Sequence, residues 1–267
     1  MSLLIRNWIG GLGGGAGYKI INAELTTYIA GLTTKLSNTE LEILDTLVTN
    51  IKTVLTSSNL SDDFDCIWLW GGETQEASLK NLAKDAHHGT GASLPSWTKY
   101  EGFQGASGKL ITLNYNPATQ GVRFTRDNAS MFYYAMLNVQ DAHTCGAESG
   151  TQKSVLQGRN SSNQFWAAIN TGGYGNVGVN MDGRGMYFGC RDNATTINGY
   201  REGVKKTTVT ESSTAIYNIG HYGLARRAGA NTYYSSQQLA IMGYGRSFSE
   251  TEVQGLTTAF KNYINAH

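Results

Sequence analysis

Trp166, Asn170, Tyr174 and Asn176 lie in the stretch NQFWAAINTGGYGNVGVN, where two broad aromatic rings and two amides surround a run of glycines. Flat apolar faces beside amide donors and acceptors suit stacking and hydrogen bonding to a sugar ring, and the glycines would let a loop cradle it. A second reading stays open: Phe165 to Thr171 alternates as a strand does, which would make Trp166 a core residue and the glycines mere turn formers. Asp141, His143 and Cys145 would share one side of an extended strand, as metal ligands must. A structural zinc site needs four ligands and no fourth is near, so they are taken as loop residues in chance proximity and no metal site is assigned. His87 and His88 are adjacent and would diverge on regular structure.

Other chemistries find less. Asp141, Glu148, Asp182, Asp192, Glu202 and Glu211 are scattered through turn-like contexts, as solvated turn residues are. There is no Gly-x-Ser-x-Gly elbow and no triad partner for the histidines. Gly11, Gly13 and Ala16 have dinucleotide-fingerprint spacing, but no strand–helix–strand unit follows and no Gly-Lys-Ser/Thr ending is present, so a linker is expected. No catalytic residue is assigned, and a non-enzymatic role is expected.

The elements that would position these residues are mostly strands. The 267 residues include 33 glycines, 15 tyrosines and only 2 prolines, a composition of short strands joined by tight turns. A net charge of +1 gives no basic surface for nucleic acid or an anionic membrane. Cys66, Cys145 and Cys190 are too few and too far apart for a disulfide framework and suit buried thiols. No apolar run approaches a membrane span, and the N-terminus lacks the layout of a signal peptide. Synthesis and assembly in a cytoplasm are expected.

Along the chain, residues 1–19 are apolar and then Gly-rich. Leu3, Leu4, Ile5, Trp8, Ile9 and Leu12 cannot bury one another in so short a segment and suit an anchor held by another protein. In 20–60, Leu25, Ile29, Leu32 and Leu36 predict one helix over 20–36. Ser37 and Glu40 form a capping-box pair before a second, whose Leu41, Leu44, Val48, Ile51 and Leu55 alternate by three and four. That stripe fits an oligomer seam or a helix laid on the chain's own β domain. A polar linker, Ser57 to Asp63, leads into 61–267. There, DCIWLWGG, GKLITLN, ASMFYYAMLNV, KSVLQGR, NQFWAAINT, RGMYFGCRD, TINGYREGV, AIYNIGHYG and TYYSSQQLAIMGYG are strand-like, with a helical turn near Glu76 to Lys84. Leu239 to Tyr244 alternates as a strand with one buried face. Ser249 and Glu252 then cap a last helix whose Val253, Leu256 and Phe260 should be buried. The fold expected is mainly β, an antiparallel sandwich or barrel.

The order of DFDCIWLWGGETQEASLKNL, TKYEGFQGASGKLITLNYNPAT, ASMFYYAMLNV, NGYREGV and GRSFSETEVQGLTTAFKNYI resembles concanavalin-A-like (laminin-G-like) jelly-roll domains. More narrowly, it is similar to those of tailed-phage virion proteins, with Tyr100 to Thr119 the nearest stretch and residues 38 to 266 covered. The resemblance implies an antiparallel two-sheet jelly-roll sandwich with N-terminal helices and a C-terminal helix. The same fold carries β-glucanases, whose Glu-x-Asp-x-x-Glu strand motif is absent here. Lectin-type relatives leave calcium open as a cofactor, with no ligand set to name. The expectation is therefore a phage structural protein, a head fibre, capsid decoration or tail appendage, homotrimeric by preference. It would be anchored to other virion proteins by its N-terminus and would display the jelly roll outward. The alternative is a carbohydrate-binding module for host-surface glycans, and a glycoside hydrolase is third.

Overall fold

The computed structural model describes residues 17–140 and 144–267. Two helices, α1 (Ala23–Ile29) and α2 (Asn38–Leu55), precede β1 (Phe64–Trp68). Then come α3 (Gln75–Leu79), β2 (Ser96–Thr98), β3 (Gly102–Gln104), β4 (Ile111–Thr112) and α4 (Pro117–Gln120). The middle of the chain forms β5 (Ala129–Ala135), β6 (Cys145–Glu148), β7 (Lys153–Gln157), β8 (Gln164–Thr171) and β9 (Gly175–Val179). After β10 (Gly185–Arg191), β11 (Thr196–Arg201) and β12 (Val204–Thr210) it continues as β13 (Tyr222–Gly223), β14 (Ala225–Ala228) and β15 (Asn231–Tyr234). It closes with β16 (Gln238–Gly245) and α5 (Glu250–Asn265).

These strands make two sheets of eight. The first runs β12-β11-β10-β5-β16-β3-β2, with β1 sharing the far edge of β16. The second runs β15-β14-β6-β7-β8-β9, and β13 joins it to β4. Pairing is antiparallel throughout except between β6 and β14, which run parallel.

Two cores form three layers. Between the sheets lie Trp68, Met131, Tyr133, Leu156, Ile169, Tyr187 and their neighbours. On the other side of the first sheet, Phe132, Met186, Phe188 and Ile241 meet Leu44, Val48 and Ile51 of α2 and Val253, Leu256 and Phe260 of α5. Successive strand residues point to opposite faces, so β5 and β10 supply both cores in alternation. All eight residues of β16 are buried, which corrects the expectation of one buried face. Gly243 is needed there: a Cβ would lie 2.2 Å from Cζ of Phe132, whose ring covers the strand and stacks on Phe188 and Phe260.

The α2 stripe resolves in favour of the chain's own core. Leu44, Val48, Ile51 and Leu55 are buried in it and so are not free to form an oligomer seam, while Leu41 is half-buried outside the cluster. Residues 20–60 and 61–267 thus share a core across the polar linker. The expected helix over 20–36 stops at Ile29, because Ala30 turns extended and Gly31 takes φ +78°; Leu32 and Leu36 still pack on the core. The AIYNIGHYG stretch is mostly irregular, with only Tyr222–Gly223 in a strand.

At α5 both halves of the capping box form between Ser249 and Glu252, and Arg246 ties Glu252 to Asp63. At α2 only half forms. Ser37 accepts from the Glu40 amide, but the Glu40 carboxyl turns inward to the Tyr263 hydroxyl at 3.2 Å and to Nε2 of His267 at 3.4 Å. Burial, and secondarily the charge of Glu73 against the Tyr263 hydrogen bond, pushes this carboxyl from 4.5 up to about 7. A carboxyl raised on folding favours the fold while protonated, so its contribution is complete below about pH 4.5 and is lost as pH rises to about 7. Glu40→Gln should remove that dependence and stabilise the chain at pH 8 by about 2–3 kcal/mol. Urea denaturation of both proteins from pH 4 to 8 checks it, and parallel curves would contradict it.

Candidate functional site

The helix layer covers the first sheet, which leaves the outer face of the second. Cys145, Leu156, Ala167 and Ile169 face the inter-sheet core, so strand alternation turns Gly146, Val155 and Ala168 outward, in one row with Arg226. The next positions on this face carry Glu148 opposite Lys153, and Trp166 opposite Gln157 and Asn176. The β8–β9 turn folds Tyr174 back across it. Its ring stacks on Trp166 with centroids 4.8 Å apart and planes 28° apart, and Nζ of Lys153 sits 5.1 Å from its centroid.

Below the rings lies a charge pair. Nη1 of Arg226 is 3.1 Å from Oε1 of Glu148 and also donates to the Tyr174 hydroxyl, which donates to Oε2 of Glu148. The Arg226 guanidinium is 4.6 Å from the Tyr233 ring, which is 39% exposed on the edge strand β15. Arg226 is nearly buried, and its Nε has no acceptor among the described residues. Burial, reinforced by the bond to Glu148, pushes the Tyr174 phenol above its ordinary range. It is a hydrogen-bond donor and a ring face rather than a nucleophile.

Three of the four residues singled out from sequence therefore come together: Trp166, Tyr174 and Asn176. Asn176 is exposed, and its Oδ1 accepts from the Gly178 amide at 2.9 Å. Asn170 is a correction. It is 1% exposed, at φ +50°, with Oδ1 accepting from Ser154 Oγ and Nδ2 donating to the carbonyls of Thr125 and Arg126, so it braces β8 and cannot meet a ligand. Glu148, Lys153, Arg226 and Tyr233 were not foreseen. Arg226 is 52 residues from Tyr174 and reaches it only because β14 pairs parallel with β6.

The other candidates are structural or outside the described residues. Asp141 and His143 fall outside them, as do Leu3, Leu4, Ile5, Trp8, Ile9 and Leu12. Cys145 is buried between the sheets, and burial pushes its thiol up to about 12, which disfavours the thiolate a metal requires. Among the described residues no three His, Cys, Asp or Glu side chains are placed to hold a metal ion, and no helix is long and apolar enough to cross a membrane. His221 is held neutral by burial, down to about 3, with Nδ1 3.1 Å from the Tyr244 hydroxyl. Asp65 is fully buried, and burial alone would raise its carboxyl. The amides of Val122, Arg123 and Phe124, the Tyr115 hydroxyl and Lys84 outweigh that and hold it low.

No family model and no curated protein sequence matches the chain. Among solved structures, it is similar to a mutant Trypanosoma rangeli sialidase displaying trans-sialidase activity, at 11% identity and TM-score 0.56, over 84% of this chain and 39% of that one. The same sialidase with bound sialic acid gives 10% identity and TM-score 0.52, over 83% and 39%. The binding domain of Paraclostridial Mosquitocidal Protein 1 gives 8% identity and TM-score 0.52, over 76% and 53%. The chain spans about two-fifths to half of these chains, and the likeness defines a class of fold, a two-sheet β-sandwich.

Asn170→Ala should cost about 1–3 kcal/mol, the range for stranding buried hydrogen-bond partners. Urea denaturation should show a lower midpoint with unchanged slope, and an unshifted midpoint would mean that the bracing is not structural.

Proposed function

We propose that this chain is a non-enzymatic glycan-binding β-sandwich module whose saccharide lies against Trp166, Tyr174 and Tyr233 on the outer face of the second sheet. The observation that carries this reading is the Trp166–Tyr174 stack, which presents ring faces on the sheet surface that the helix layer leaves uncovered. Sugar C–H faces stack on aromatic rings, and hydroxyls need donors and acceptors nearby. Asn176, exposed beside Trp166, supplies them, while Glu148 and Arg226 are engaged with each other and with Tyr174, and Lys153 with the carbonyls of Gly150 and Gly172. The hydrogen bonds to Arg226 and Glu148 hold the Tyr174 ring in place before a ligand arrives, which lowers the entropy cost of binding. The sandwich likeness to a sialidase and to a toxin's binding domain is compatible with this role.

The virion-subunit reading draws on an N-terminal anchor outside the described residues and on an α2 stripe that is buried within the chain, so the described residues support the glycan reading better. The test is a glycan array followed by calorimetry on the best hit. Trp166→Ala and Tyr233→Ala, both at partly exposed positions, should each weaken binding tenfold or more, about 1.4 kcal/mol, without lowering thermal stability by a comparable amount. An array without hits, or variants that bind as well as the parent, would refute the assignment.

A further inference from the structure

On the far side of the β8–β9 hairpin from Trp166, the edge strand β9 of the second sheet meets β11 and β12 of the first around a recess of about 290 Å³. That lies near the small end of ligand sites, roughly 300–1,000 Å³. One wall is apolar: Phe165 and Val177 belong to the inter-sheet core, and Val179 is 80% exposed at the mouth. The opposite wall carries Arg201 and Lys206.

The charges around this recess do not balance. Asp182 is held by Arg184 through two bonds of 3.1 and 3.0 Å, while Arg201 approaches the same carboxylate only at 3.7 Å. Arg201 Nη2 donates to the Arg184 carbonyl at 3.2 Å, the guanidinium lies over the Tyr187 ring, and its Nε is buried without an acceptor among the described residues. Lys206 is exposed and forms no ion pair among the described residues. The other nearby carboxylate, Glu202, is turned away toward Lys261 on α5 and the Met186 amide. A guanidinium only loosely paired through Nη2, an exposed ammonium and an apolar wall together suit a flat anion carried on an apolar body.

We propose that this recess is a second binding site, for a small organic carboxylate. Arg201 and Lys206 hold the charge, and Phe165, Val177 and Val179 cover the apolar part. The site is independent of the glycan platform, because Phe165 and Trp166 point to opposite faces of β8.

Benzoate is the probe, titrated into the ¹⁵N-labelled full chain, with benzyl alcohol as its neutral counterpart and inorganic phosphate as an anion without an apolar body. Benzoate should give saturable shifts at the amides of Gly178 and Val179 and at the Arg201 Nε–H. Lys206→Gln and Arg201→Gln should each weaken it about tenfold. The exposed Lys206 change keeps the test open even where replacing Arg201 disturbs the packing on Tyr187. Absence of saturation, an equal response to benzyl alcohol or to phosphate, shifts confined to the Trp166 face, or unchanged affinity in Lys206→Gln would each overturn the proposal.

Discussion

The first sheet carries apolar side chains on both of its faces, and neither face could be left in water. Phe132, Phe188 and Ile241 on one side, and Met131, Tyr133, Tyr187 and Tyr244 on the other, demand two separate covers. The second sheet provides one. Helices α2 and α5 provide the other, which is why the 20–60 segment cannot stand apart as a stalk and why Phe260 stacks on Phe132 beside a glycine in the neighbouring strand. The Asp63–Arg246–Glu252 ion pairs at the start of α5, the buried Glu40–Tyr263 contact between α2 and α5 and the Lys261–Glu202 ion pair help to fasten this layer.

That division of labour decides which sheet surface the helices leave uncovered. With the helix layer on the first sheet, the two proposed sites fall on the second sheet's outer face and on the rim where β9 meets β12. The outer face places a paired charge beneath aromatic rings: leaving Arg226 or Glu148 unpaired in so buried a place would be costly, so each fixes the other and both fix Tyr174. The rim does the reverse, leaving Arg201 and Lys206 under-neutralised. One face holds its charges paired around a fixed ring, and the other holds positive charge that is only loosely paired.

What could be read from sequence was what is local along the chain. Ser249 and Glu252 lie three residues apart, and their cap formed; Trp166 and Tyr174 flank one turn, and their rings met. Many short strands between turns made an antiparallel sandwich or barrel legible, and the resemblance to jelly-roll domains, not the strand pattern, implied the two sheets that form. Non-local partners were not, since nothing near Arg226 in ARRA tells of Glu148 or Tyr174, which a parallel strand pair brings to it. Asn170 misled because an amide that suits a ligand also suits a left-handed position bracing a strand end. Glu40 sat at a capping-box position, but its carboxyl answers to Tyr263, 223 residues on. The contiguous run Leu239 to Met242 was itself a sign of a strand buried on both faces, and the alternation drawn through it obscured that.

The claim that the helix layer and the first sheet form one cooperative unit is tested most directly by native-state hydrogen exchange on the free chain. Amides around Val48 and Ile51 in α2 and from Val253 to Phe260 in α5 should share the slowest exchange, and the same opening free energy, with those of β5, β10 and β16. Helices that open at a much lower free energy while the first sheet stays protected would contradict it.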